Sequence, residues 1–213
     1  LTDKSIYNDD TYRDLHPSWH TEDSFWKANQ LLKVFPQELV SGSIRVADLG
    51  CGTGGILSNF CKILEETETA SVISADGFDI SEYALDNARR TFPEYNFIKA
   101  DITRIELSQK YDIVLLIDVI EHLDNPETIL DIAKKCADFI LLHIPLEDNW
   151  YVNFHLKREN IQKQAGHLHF FNRNSAFNLL SKTGLNIRKY AFTPGFELSD
   201  KNLWGKKLIS VRC

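Results

Sequence analysis

Asp48, Asp79, Asp101 and Asp118 each stand just beyond a short apolar run of the chain, and glycines follow the first of them at positions 50, 52 and 54. A carboxylate accepts two hydrogen bonds at once, which suits a ligand diol, and it pairs with a cationic ligand group. Glycines at alternate positions let the backbone bend sharply and approach a ligand where a Cβ would collide. The helical pattern that begins at Ile56 would place unpaired N–H groups and a positive dipole end beside that turn, which suits a carboxylate or phosphate. Spacing separates the ligand classes. A dinucleotide fingerprint reads G-x-G-x-x-G, whereas Asp48 to Gly54 reads D-x-G-x-G-x-G. His122, four residues after Asp118, titrates near neutral pH and suits removal of a proton from a hydroxyl or amine. It equally suits a structural bond to a neighbouring loop.

Such residues need strands that end where they stand. The pattern predicts strands over Ile44–Leu49, Ser71–Phe78, Tyr95–Lys99, Ile113–Ile117 and Phe139–Ile144, alternating with amphipathic helices, the signature of a parallel sheet with crossover helices. The first helix carries Ile56, Phe60, Ile63 and Leu64 on one face. Ser81 is placed to cap a second helix running to Arg90. Asn125-Pro126 is a cap followed by an N1 proline for a third, which buries Ile129, Ile132, Ala133 and Cys136. A helix from Asn174 to Lys182 ends at Gly184, and strands Leu185–Phe192 and Lys207–Val211 follow. In an open parallel sheet, ligands bind beyond the carboxyl ends of the strands near the point where strand order reverses. The four aspartates all fall there.

Two segments depart from the rhythm. Residues 1–40 interleave aromatics (Tyr7, Tyr12, Trp19, Phe25, Trp26) with charges, and a helix is expected over Ser24–Leu39 with Phe25, Leu32 and Phe35 on one face and a break near Pro36. Residues 146–171 carry Trp150, Tyr151, Phe154, His155, His167, His169, Phe170 and Phe171 and read as an inserted lid over the sheet's active edge. The whole of 1–213 is expected to be a single domain with an N-terminal helical cap.

Composition excludes several classes. At 213 residues, 43% hydrophobic and 25% charged, the balance is that of a globular domain with a substantial core. No apolar run is long enough to span a membrane, and the polar start (Thr2, Asp3, Lys4, Asn8, Asp9, Asp10) lacks a signal-peptide pattern. The net charge of −6 and the absence of a Lys/Arg block argue against nucleic acid as a partner. Cys51, Cys61, Cys136 and Cys213 form no C-x-x-C pair and read as free thiols in a reducing, cytoplasmic setting. Asp118, His122, His167 and His169 offer metal-ligand types, but no tight ligand spacing appears among them, and no metal is expected. His167 and His169, two apart, would share one face of a strand, lining a pocket, binding a metal or packing among Phe170 and Phe171. His143 ends a buried run and is expected to be a satisfied core histidine.

The order D-x-G-x-G-x-G (Asp48–Gly54), G-F-D-I-S (Gly77–Ser81), K-A-D-I (Lys99–Ile102) and D-V-I-E-H-L (Asp118–Leu123) resembles the class I S-adenosylmethionine-dependent methyltransferases. It is closest to small-molecule enzymes such as those of ubiquinone biosynthesis. The likeness is strongest over residues 44–145. It implies an α/β, three-layer, Rossmann-like seven-stranded sheet, mostly parallel with the last strand antiparallel. It also implies S-adenosyl-L-methionine as cofactor and S-adenosyl-L-homocysteine as product. By the same resemblance Gly50, Gly52 and Gly54 pass under the methionine moiety with Asp48 near its amino group. Asp79 takes the ribose hydroxyls, Ile80 and Ile102 pack on adenine, Asp101 accepts from the adenine amino group, and Asp118 lies beside the cofactor. His122 is the candidate base. The expected reaction is methyl transfer to a small-molecule or glycan acceptor, at oxygen. The rival readings are a nucleic-acid or protein methyltransferase, a non-catalytic binder of the same cofactor, and a dinucleotide-dependent oxidoreductase. The oligomeric state is not encoded in any pattern seen here.

Overall fold

A computed structural model describes residues 23–148, 166–193 and 206–212, and over these the alternation of aliphatic runs and amphipathic helices becomes a layered α/β sheet. The strands are β1 (Ser43–Leu49), β2 (Ser71–Asp79), β3 (Asn96–Lys99), β4 (Tyr111–Ile117), β5 (Ala137–Pro145), β6 (Asn186–Thr193) and β7 (Lys206–Arg212). The helices are α1 (Ser24–Leu31), α2 (Gly55–Glu66), α3 (Glu82–Thr91), α4 (Pro126–Cys136) and α5 (Arg173–Lys182). Spatial order is β3-β2-β1-β4-β5-β7-β6. The pairings among β1 to β5 are parallel, and β7 runs antiparallel to both β5 and β6. The chain moves outward from β1 to β3, then returns to place β4 on the other side of β1. The reversal of strand order therefore lies between β1 and β4, where the crevice for a ligand opens.

Alternation along the central strands builds a core on each face, because successive strand side chains point to opposite sides. Val46, Ile113 and Leu115 join Ala28 and Leu31 of α1, Leu57, Phe60 and Leu64 of α2, and Leu85 and Ala88 of α3. Ala47, Leu49, Val114 and Leu116 face the other way, toward Ile129, Leu130 and Ala133 of α4 and Leu179 and Leu180 of α5. Strands buried on both faces read as nearly continuous aliphatic runs, which is why β4 and β5 are so uniform in sequence.

The helix starts follow local chemistry. Ser81 Oγ accepts from Ala84 N at the start of α3. Asn125 accepts from Glu127 N with Pro126 behind it at the start of α4. Asn172 and Ser175 satisfy one another's backbone in a capping box on α5. Gly184 closes α5 with φ +71°, the left-handed geometry that ends many helices.

Two expectations are corrected. The helix over 24–39 stops at Leu31, and 3-10 turns at Leu32–Val34 and Gln37–Leu39 flank Pro36. Its inner face is Lys27, Ala28, Gln30 and Leu31 rather than Phe25, which is 62% exposed. The segment 166–171 is not a strand, so His167 and His169 do not share a face by alternation. Among the described residues, no helix is long and apolar enough to cross a membrane. The aromatics Tyr7, Tyr12 and Trp19, most of the 146–171 insertion and the Pro194-Gly195 turn lie outside the described residues.

Candidate active site

The glycine turn after β1 is fastened to the end of β2. Gly50 N and Cys51 N both donate to Phe78 O, at 2.7 and 3.1 Å. Asp79 then bridges turn and helix: Oδ2 accepts from Gly52 N and Oδ1 from Ser81 N, both at 2.8 Å. Gly50 and Gly52 hold φ of +88° and +53°, a region costly for residues with a Cβ. A Cβ on Gly50 would fall 2.7 Å from Val119 Cγ2. At Gly52 it would meet nothing within 4 Å, so the open side of the turn lies there, beside Asp79.

Two carboxyls share this corner. Asp48, at the end of β1, is only 2% exposed. Burial, and then the charge of Asp79, push its carboxyl up to about 8. Burial also raises Asp79, opposed by the N–H groups of Ser81, Gly52 and Ile80. Desolvation and mutual repulsion both disfavour two buried negative charges. A cationic ligand group placed between them would reverse that penalty.

Ala100 N donates to Asp79 O, which sets Asp101 next to the same corner. Asp101 Oδ1 accepts from Thr103 N at 3.0 Å and from Thr103 Oγ1 at 2.6 Å. It therefore also organises its own turn. Ile80 and Ile102 are both half-buried, leaving apolar surface at each side.

Asp118 stands after β4 with φ +54°. Its Oδ1 lies 2.8 Å from His143 Nδ1 and its Oδ2 lies 3.0 Å from Lys27 Nζ. Lys27 also reaches Asp23 at 2.8 Å. Burial alone would lower the Lys27 ammonium, and the Asp118 and Asp23 carboxylates more than offset it, so it is held above its usual range. His143 is fully buried, with Thr193 Oγ1 3.5 Å from its Nε2, as a core histidine with partners on both nitrogens. Asp118 thus ties α1 to β4 and β5. Lys27 carried no signal in the sequence that it would enter this network.

The turn after β4 gathers a second set. Glu121 is completely buried and His122, on the same 3-10 turn, has a side chain 19% exposed. His122 Nε2 lies 3.9 Å from Glu121 Oε1, and its Nδ1 lies 3.4 Å from Gly166 O. His167 meets the His122 ring edge-on at 4.7 Å between centroids, and its Nδ1 donates to Glu147 Oε2 at 2.6 Å. One potential ligand atom from each of Glu121, His122 and His167 lies within 4.8 Å of the others. The 167–169 segment is pinned there by its backbone, since Leu168 N and His169 N both donate to Glu121 O. His169 is turned elsewhere: its Nε2 donates to Leu123 O at 2.9 Å. Of the four ligand types noted in the sequence, the fold joins His122 and His167, adds Glu121, and leaves Asp118 and His169 to other partners. Cys51, Cys61 and Cys136 are buried and free.

Comparison with known proteins agrees with this layout. Residues 19–190 match the family model described as a methyltransferase domain. A ubiquinone biosynthesis O-methyltransferase from Shewanella pealeana is 36% identical over 104 residues, covering 45% of this chain and 39% of that protein. A trans-aconitate 2-methyltransferase from Escherichia coli is 27% identical over 148 residues, covering 67% of this chain and 56% of that protein. The chain thus spans about half the length, or less, of these curated relatives. The crystal structure of magnesium protoporphyrin IX methyltransferase from Synechocystis PCC 6803 with bound S-adenosylhomocysteine superposes with a TM-score of 0.67 at 17% identity. That match covers 99% of this chain and 97% of the other, and it establishes a shared fold. With the family model covering most of its length, the chain belongs to the methyltransferase-domain family.

Proposed function

We propose that this chain transfers a methyl group from S-adenosyl-L-methionine to an oxygen of a small-molecule or glycan acceptor, leaving S-adenosyl-L-homocysteine. The carrying observation is Asp79, whose Oδ2 accepts from Gly52 N and whose Oδ1 accepts from Ser81 N. Each oxygen retains lone-pair capacity for one hydroxyl of a ribose. In this reading Asp48 faces the ammonium group of the methionine moiety, with Gly50, Gly52 and Gly54 beneath it. Ile80 and Ile102 flank adenine and Asp101 receives its amino group. Asp118 positions the β4 end beside the cofactor. The sheet order, with β7 antiparallel between β5 and β6, supports reading it as the seven-stranded methyltransferase sheet. Residues 1–40 and 146–171 would be a cap and a lid on a single domain.

The sulfonium is already an activated donor, so the protein's task is alignment, exclusion of water and removal of the acceptor's proton. His122 is assigned to that proton, because it follows β4 on the side of the crevice away from Asp79. The oxygen preference is supported by relatives whose names are O-methyltransferases. Calorimetric titration with S-adenosylmethionine, S-adenosylhomocysteine and NAD tests the reading. Binding of the first two and not of NAD is expected, with Asp79→Ala weakening it at least about tenfold, the loss of roughly one charge-assisted hydrogen bond. Preference for NAD, or undiminished affinity in Asp79→Ala, would sink it.

A further inference from the structure

We propose that Glu121, His122 and His167 hold one divalent transition-metal ion at the acceptor side of the crevice. Three features point to an ion rather than to three neighbouring polar groups. The first is the ligand set. Two imidazoles and one carboxylate form a mixed nitrogen–oxygen set that suits zinc, manganese, iron or cobalt better than magnesium or calcium. Three protein ligands also leave open positions for a reactant.

The second is orientation from outside. A metal-bound histidine usually donates its other ring N–H to a carboxylate or a backbone carbonyl. His167 Nδ1 donates to the buried Glu147 at 2.6 Å, and His122 Nδ1 faces Gly166 O at 3.4 Å. With Nδ1 so engaged, Nε2 is the ring nitrogen each histidine would present to an ion. The third is assembly. Glu121 O receives Leu168 N and His169 N at 2.8 and 3.1 Å, so the loop that brings His167 is fastened to the turn that carries the other two. Ligand atoms about 2.0–2.2 Å from one ion lie roughly 3–4 Å apart. The present spread of up to 4.8 Å closes onto an ion by side-chain shifts of about 1 Å.

Resting on the methyltransferase reading, the ion's place identifies the acceptor class. It would take a hydroxyl or enol-type oxygen and lower its pKa. The acceptor O–H gives its proton to solvent, and the oxygen forms a C–O bond to the methyl carbon. The S–CH3 bond breaks with its electron pair remaining on sulfur, giving the neutral thioether. Here His122, its Nε2 committed as a ligand, holds the ion that acidifies the acceptor, and this replaces the direct base role given to it above.

The test is titration of the chelator-stripped protein with Co2+, followed by visible absorption and calorimetry, with S-adenosylhomocysteine affinity measured on the same samples. One Co2+ per chain is expected, in wild type. His167→Asn and Glu121→Gln should each weaken it more than tenfold. Glu147→Gln should weaken it about 10–100-fold, and S-adenosylhomocysteine affinity should stay within about twofold throughout. If Glu121→Gln does not fold, His167→Asn, in a loop, decides. No Co2+ uptake by wild type, or uptake unchanged by His167→Asn, overturns the site. Loss of S-adenosylhomocysteine binding in wild type instead overturns the cofactor reading and leaves the metal result standing.

Discussion

At the scale of single residues, the site is built from groups held in forms they would not take in water. Asp48 is the clearest. Its carboxyl, pushed up to about 8 by burial and by the charge of Asp79, keeps a proton near neutrality that the unfolded chain releases near pH 4. Between those values the folded state binds more protons than the unfolded state, so stability falls as pH rises through the window. Asp48→Asn removes that loss. Its melting temperature should match wild type most closely near pH 4 and exceed it increasingly toward pH 8. Each kcal/mol recovered is worth roughly 2–4 °C in a chain of this size. A difference that is flat between pH 4 and 8 would show that Asp48 is not carrying the proton. The same variant should bind S-adenosylmethionine more weakly, because an amide cannot give up a proton to become the carboxylate that pairs with the ligand's ammonium. Stability and affinity pull in opposite directions here, as they often do where a site buries a titratable group for its ligand.

At the scale of elements, the positions of the strand ends are fixed by contacts that run between layers. Lys27 of α1 is the cation between Asp23 and Asp118, and Asp118 in turn holds His143 of β5. Lys27→Ala leaves two carboxylates without their buried cation, and breaking such a pair costs about 3–5 kcal/mol. Lys27→Ala should therefore lower the urea midpoint with an unchanged m-value. An unchanged midpoint would mean that the carboxylates re-solvate freely and that α1 is not anchored through them. This anchor also marks where sequence reading stops. The caps at Ser81 and Asn125 were legible because capping is local chemistry within three residues. The strands were legible because burial on both faces leaves an aliphatic run, and their ends moved by only a residue or two. The glycine turn and Asp79 were legible through spacing. Lys27 with Asp118, and Glu121 and His122 with His167, lie 91 and 45–46 positions apart, and no periodicity relates residues at such distances. Phe25 was placed inward by a helical period that α1 does not sustain, since its buried stripe runs through Lys27 and Leu31 instead.

At the scale of the molecule, all the proposed chemistry lies on one edge of the sheet. The Asp48–Gly54 turn, Asp79–Ser81, Asp101–Thr103 and Asp118–His122 follow the carboxyl ends of β1, β2, β3 and β4, while the opposite edge is occupied by the strand starts near Ser43, Ser71, Asn96 and Tyr111. The two cores on either face hold those strands in fixed relation, so a ligand has little to reorganise beyond the loops themselves. A ligand that binds only the folded state stabilises it by RT ln(1 + [L]/Kd), about 2.7 kcal/mol at a hundredfold excess over Kd. Part of that should appear as slower local opening wherever the ligand is held. Hydrogen exchange with saturating S-adenosylhomocysteine should thus slow at the amides of residues 50–54, 79–81 and 101–103, where backbone N–H groups already converge on Asp79 and Asp101. Amides near Ser43, Ser71 and Tyr111 should exchange as before, apart from the common gain in global stability. Adding Co2+ should extend the protection to residues 120–122 and 167–169, because the ion adds a direct bond between two segments already joined by backbone and ring contacts. Protection concentrated at the strand starts, or spread evenly over the chain, would place the ligand elsewhere and remove the strand-end crevice as the site.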